Sequence, residues 1–133
     1  MQKTTALANP CPCGLPADYD ACCGRWHAGP LHLQAPDAER LMRSRYSAYV
    51  LGLPDYLRDT WHTRTRPASI DAARQGLTWL GLDVRRHVQQ DDTHATVEFV
   101  ARNKLSGRAY RLHELSRFER IAGRWLYVDG DMK

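Results

Sequence analysis

The segment CPCGLPADYDACC, Cys11–Cys23, holds all four cysteines of a 133-residue chain and restricts its architecture more than any other stretch. Four thiolates form a complete tetrahedral shell for a structural zinc ion, a closed site with no position left for substrate. Cys11 and Cys13 flank a single residue, so a tight turn can aim both sulfurs at one point. Gly14 can then adopt a backbone conformation denied to residues with a Cβ. Pro16 suits the first turn of a short helix, which the spacing predicts to run through Asp18 and Tyr19 and to deliver Cys22 and Cys23 from its last turn. Disulfides are the competing reading. Adjacent Cα atoms, about 3.8 Å apart, lie too close for a Cys22–Cys23 bridge. Crossed pairs such as Cys11 with Cys22 stay open, as does a set of four free thiols. Disulfides belong to oxidising compartments, and no apolar signal-peptide core follows Met1. Zn2+ held by Cys11, Cys13, Cys22 and Cys23 is therefore the expected arrangement, with His27 as the alternative fourth ligand.

The pattern C-x-C-x8-C-C, with Gly14 after the second cysteine and Gly24 after the last, resembles the SEC-C motif. That motif is a small zinc-binding module also found at the C-terminus of the SecA translocation ATPase. Gly14-Leu15-Pro16-Ala17-Asp18 stands where the motif usually continues Gly-Ser-Gly-Lys. The resemblance implies the fold of the module and its metal; as a small rigid surface, the module is expected to contact a protein partner.

Apolar content of 43% and charged content of 26% are those of an ordinary globular domain. No apolar run approaches the roughly 18 residues that read as a membrane span, and no basic amphipathic stretch points to a membrane surface. A cytoplasmic protein is expected. The net charge of +4 arises from 19 basic and 15 acidic residues spread along the chain. It is weak support for a nucleic-acid partner and fits a solvated, ion-paired surface better.

The chain divides into a lead-in and cysteine module over residues 1–28, a linker over 29–36 punctuated by Gly29, Pro30 and Pro36, and a main domain over 37–133. Trp26 is expected to pack the module onto that domain. Asp37 and Gly52 bracket a helix that puts Leu41, Met42, Tyr46, Tyr49 and Val50 on one face and Arg40, Arg43 and Ser47 largely off it. Pro54 opens a short second helix ending near Trp61-His62, and Ser69–Gln75 reads as a third, capped by Ser69 and stopped by Gly76. The period then changes. Strands are expected over Thr78–Gln90, His94–Asn103, Arg108–Arg120 and Arg124–Asp129, separated by turns at Asp91-Asp92-Thr93, Ser106-Gly107 and Gly123. Helices first and an antiparallel meander last make an α+β domain, with helices covering one face of a curved sheet and leaving a cone whose mouth can be a pocket.

A second resemblance covers most of the chain. Leu41-Met42-Arg43-Ser44-Arg45-Tyr46, Asp55-Tyr56-Leu57, Thr60-Trp61-His62 and Trp79-Leu80-Gly81-Leu82 carry its first half. Val97 to Arg102, Glu114 to Phe118 and Gly123 to Gly130 carry the rest. These match the YchJ family. The resemblance implies a cone-shaped, nuclear-transport-factor-2-like (cystatin-like) domain behind an N-terminal SEC-C module. Many relatives carry a second SEC-C motif at the C-terminus, whereas no cysteine follows Cys23 here. The resemblance brings a fold and a metal but no reaction.

The polar residues that such a cone would gather are Arg45, Tyr46, Tyr49, Trp61, His62, Glu114 and Asp129. Strand alternation puts Glu114 on the side of Tyr110, Leu112, Ser116 and Phe118, and a carboxylate buried there needs a partner or a raised pKa. Arg45 is the expected partner, in an ion pair that ties helix to sheet. The functional alternative is a pocket carboxylate beside Tyr46, Tyr49 and His62 that binds a polar small molecule or moves a proton. His62, at a helix end, also suits the helix dipole. No phosphate-cradling glycine loop, nucleophile elbow or His-x-x-x-His pair is present. The first functional expectation is thus a zinc-containing binding or adaptor protein. An isomerase, hydratase or hydrolase of the cone pocket is second, and a nucleic-acid binder third. By analogy of shape, a homodimer through the outer sheet face is also expected.

Overall fold

Asp37 and Gly52 set the limits of the helix on which the molecule is assembled. In the computed structural model, which describes residues 8–72 and 75–133, helix α2 (Ala38–Leu51) begins where the Asp37 carboxylate accepts the Arg40 N–H at 2.7 Å. It ends at Gly52, whose left-handed backbone (φ 70°) lets its N–H reach the Ala48 carbonyl. A short α1 (Gly24–His27) precedes it, and α3 (Pro54–Asp59) follows with Pro54 in its first turn. Four strands then form an antiparallel meander in the order β1-β2-β3-β4: β1 (Leu77–Gln89), β2 (His94–Leu105), β3 (Arg108–Ile121) and β4 (Arg124–Met132).

Three bulges curve the sheet. One extra residue stands at Leu80, one at Arg85 and one at Val128, because the pairing steps from Trp79 to Gly81, from Val84 to Arg86, and from Tyr127 to Asp129 while the partner strand advances by one. The concave face carries Ala95, Val97, Phe99, Ala101 and Phe118, all buried, and packs on Leu41, Met42, Tyr46 and Leu57. The clean alternation read along β2 belongs to a strand that carries no bulge of its own.

Helix α2 differs from a one-sided amphipathic helix. Ser44, Arg45, Ser47 and Ala48 are buried along with the apolar residues, whereas Val50, expected on the inner face, is 37% exposed. The reason is a second layer: the cysteine segment lies against another flank of α2, beside Leu82 of β1, with Ser47 Oγ 3.7 Å from Cys11 Sγ and Arg43 Nη1 donating to the Cys13 carbonyl at 3.1 Å. Small serines allow that close approach. Trp26 belongs to the main core and joins the two layers.

One helix expected from the sequence does not form, and the described part of another is not helical. Pro16 does not start a helix; residues 15–17 bend, Asp18 bridges to Pro10, and only a single 3-10 turn, Tyr19–Ala21, follows. Residues 69–72 are not helical, and residues 73 and 74 of the expected Ser69–Gln75 segment lie outside the described residues. That segment had end signals but no apolar period to give it a buried face.

Candidate metal centre and pocket

The cysteine turn is built by backbone bonds. The Cys11 N–H donates to the Ala17 carbonyl at 3.0 Å and the Gly14 N–H to the Cys11 carbonyl at 3.2 Å. Gly14 sits at φ 90°, a conformation open to glycine. Cys22 and Cys23 fall at the junction between the 3-10 turn and α1, where their carbonyls accept the Arg25 and Trp26 N–H groups. Gly24 is required there, since a methyl in its place would lie 2.8 Å from the Tyr19 carbonyl oxygen.

All four sulfurs lie within 4.8 Å of one another, and all four residues are buried and unbridged. Cys13 Sγ and Cys22 Sγ are 3.6 Å apart. A tetrahedral ion with metal–sulfur bonds of about 2.3 Å separates its ligands by about 3.8 Å, so the donor set fits a four-coordinate metal. The thiols also resist joint ionisation. Hydrogen bonding from Cys13 pulls the Cys11 pKa far down, burial pushes Cys22 up to about 12, and the bond to Cys11 drives Cys23 well above the thiol range. One negative sulfur therefore suppresses the next, and a bound cation reverses that, because a coordinating thiol is deprotonated outright. His27 is not among the clustered donors. Its Nε2 lies 2.8 Å from the Ser44 carbonyl and its Nδ1 against the Tyr19 hydroxyl. A carbonyl can only accept, so Nε2 carries the proton and Nδ1 accepts from the tyrosine. Burial lowers the His27 pKa, in keeping with that neutral ring.

On the other side of α2 the cone encloses a cavity of about 330 Å³. Arg45, Tyr46 and Tyr49 reach it from α2, Trp61 from the segment after α3, and Trp79, Phe99, Leu112, Glu114, Ser116, Phe118 and Tyr127 from the sheet. Its walls are mainly apolar and aromatic. Arg45 is 5% exposed. Its Nη1 donates to the Leu57 carbonyl at 2.9 Å and Thr60 Oγ1 at 2.7 Å, and its guanidinium carbon lies 4.9 Å from the Trp61 ring centre and 4.8 Å from that of Tyr127. Burial lowers its pKa from the usual guanidinium value.

The expected Arg45–Glu114 ion pair is not formed. The open carbonyl at the C-terminal end of α3 takes the guanidinium instead, and Glu114 Oε2 accepts from Ser116 Oγ and from the Tyr127 hydroxyl at 3.0 Å. Burial, and then the neighbouring Glu114, raise the Tyr127 pKa; burial raises that of Tyr46.

Of the pocket residues expected from the sequence, Arg45, Tyr46, Tyr49, Trp61 and Glu114 come together, and His62 and Asp129 do not. The Val128 bulge reverses the parity of β4, so Asp129 faces outward and accepts from Arg117 Nε at 2.6 Å. His62 lies behind the wall. Its Nδ1 accepts the Arg64 N–H at 3.0 Å, its backbone N–H donates to the Tyr127 carbonyl, and its Nε2 is 3.9 Å from Glu119. Both are corrections to the sequence reading.

Gly130 was not singled out, yet Glu114 depends on it. A methyl there would overlap the Glu114 carboxylate and come within 2.8 Å of its Cγ. Gly130→Ala is expected to cost about 2 kcal/mol, in the range of overpacking a filled site, and to turn Glu114 out of the cavity. Urea unfolding measures the first, and a crystal structure of the variant checks the second. The signal available in sequence was a glycine inside a strand, which marks a bulge or a close approach.

Comparison with known proteins agrees with this geometry. Residues 37–130 match the family model described as YchJ, middle NTF2-like domain. A UPF0225 protein of Bordetella pertussis is 59% identical over the full length of both chains, and one from Cupriavidus pinatubonensis is 60% identical over 96% of this chain and 91% of its own. The solution structure of a SEC-C motif-containing protein from Rhodopseudomonas palustris superposes with a TM-score of 0.78 at 34% identity, covering 91% of this chain and 96% of that one. A crystal structure of a SEC-C motif-containing protein from Psychrobacter arcticus gives 0.76 at 29% identity, covering 96% and 84%. A buried four-cysteine turn docked on an NTF2-like cone, matched over its whole length by such relatives, makes this chain a member of the YchJ family.

Proposed function

We propose that the protein is a zinc-stabilised binding protein: four thiolates hold Zn2+, the resulting knuckle offers a rigid surface to a protein partner, and the cone takes a small ligand. The observation that carries this reading is the closure of the cysteine cluster. Four buried sulfurs complete a tetrahedral shell with no open position, which suits a structural ion and leaves it no catalytic role. Soft thiolate donors favour zinc over the hard cations.

The pocket supports binding over proton transfer. Among the described residues its wall holds no histidine and no cysteine, and Tyr46 and Tyr127 are held in their protonated, donating forms. The enzyme reading retains Glu114 alone as a base. Arg43, Arg45, Arg85 and Arg117 lend little to a nucleic-acid reading, because they are engaged with carboxylates, carbonyls or rings of the chain itself. No helix among the described residues is long and apolar enough to cross a membrane.

Cross-linking in cell extract, with zinc-loaded protein and with protein stripped by a chelator, tests the adaptor role. Partners retained by the loaded form and lost from the stripped form are expected. The same partners recovered by both forms would remove the knuckle as the contact surface.

A further inference from the structure

The cone pocket contains polar atoms that the protein itself leaves without partners, and their arrangement reads as a template for one kind of head group. Arg45 makes both of its hydrogen bonds through Nη1, so Nε and Nη2 have none among the described residues. Trp61 Nε1 is buried and also unpartnered. Glu114 accepts both of its hydrogen bonds through Oε2, which leaves Oε1 free to accept. These groups meet around one ring: Arg45 and Trp61 pack on Tyr127, whose hydroxyl holds Glu114. Buried polar groups in native proteins are normally satisfied by protein, water or ligand.

Charge narrows the choice. One guanidinium and one carboxylate already share the cavity, and the remaining wall is largely apolar, with Tyr49, Trp79, Phe99 and Leu112 offering flat surfaces. A ligand ion would enter that environment with its charge uncompensated, at a cost of several kcal/mol. A neutral head with an acceptor next to a donor suits the free Arg45 donors and the free Glu114 acceptor at none of that cost. We propose that the pocket binds a neutral small molecule with a carboxamide or lactam head on a flat apolar body, the carbonyl oxygen accepting from Arg45 and the amide N–H donating to Glu114, beside the Trp61 ring. This rests on the reading of the cone as a ligand pocket and assigns the class of ligand.

Three probes with one body and different heads separate the two ideas: indole-3-acetamide, indole-3-acetate and tryptamine. Each is titrated into the zinc-loaded, 15N-labelled full chain while the tryptophan indole N–H resonances are followed, with Trp61 assigned through Trp61→Phe. Saturable binding of the amide that moves the Trp61 indole N–H is expected, with the acid and the amine at least tenfold weaker. Trp61→Phe, which shrinks the ring that lines the cavity beside Arg45, is expected to weaken the amide about tenfold. Should the variant fail to fold, intermolecular NOEs from the probe ring to the Leu112 methyl groups of the unaltered protein locate the amide in the cone. Equal binding of all three probes, or tighter binding of the acid or the amine, overturns the head-group assignment and leaves the pocket reading standing. No saturable binding of any probe at millimolar concentration overturns both.

Discussion

Protein prepared without chelator is expected to contain about one zinc ion per chain, and Cys13→Ser to lose it. Cys13 has no exposed surface and its sulfur lies 3.6 Å from that of Cys22, so a hydroxyl in its place removes a ligand without opening the site to a substitute. Structural zinc contributes about 10–16 kcal/mol to the folding of isolated fingers. Here the cone has a core of its own, separate from the cysteine cluster, so loss of the ion would fall on the knuckle and its contacts with α2. A loss of about 3 kcal/mol is the consistent expectation, or roughly 12 °C in Tm at about 4 °C per kcal/mol for a chain of this size. Elemental analysis gives the first quantity and calorimetry the second. Acid acts in the same direction. Ligand sulfurs must be deprotonated to bind, so protons compete for the thiolates and affinity falls as pH decreases. Metal release on acidification, followed with a chromogenic chelator, is the expected behaviour. Full retention of structure and Tm after complete removal of metal would contradict this account.

Arg45→Met is expected to destabilise the cone by about 3 kcal/mol. The change keeps most of the side-chain volume and removes a buried charge, which by itself is favourable. Against that stand two hydrogen bonds donated by a charged group, to Leu57 and Thr60, and packing on two aromatic rings. Charged hydrogen bonds contribute about 1.5–3 kcal/mol each, and desolvated cation–π contacts about 2. The losses exceed the relief. Arg45→Lys is expected to recover less than half, since an ammonium cannot reach both acceptors while lying flat on the rings. Urea unfolding with an unchanged m-value reads both numbers. A change in Arg45→Met of less than about 0.5 kcal/mol would mean that the buried charge is held at no net gain.

The parts legible in the sequence are those with local causes. Asp37 and Gly52 announced α2, the turn residues placed the hairpins, and the uninterrupted alternation of β2 showed its inner face. The cysteine spacing identified the cluster that the structure draws together. What failed was parity. A bulge adds one residue with no signature at the bulged position, and Val128 is an ordinary strand former, yet it turns Asp129 from the pocket to the surface. The bulge at Arg85 acts likewise: it brings His87 opposite Val97 on the concave face, so that Val88 points away. Ion pairing misled for a related reason. Sequence offered Arg45 and Glu114 as opposite charges at facing positions, whereas the free carbonyl end of α3 and the Tyr127 hydroxyl compete for them, and neither is visible until the chain is folded. Ser47 fell off the apolar face of α2, yet it is buried, because the layer that covers it comes from earlier in the chain.

That helix has a bearing on how the molecule comes apart. With sulfur on one flank and the hollow of the cone on the other, α2 acts as a shared wall between two rooms, and neither room can lose its wall alone. Heating should therefore empty both together, in one cooperative transition whose midpoint follows the occupancy of the metal and of the cavity alike.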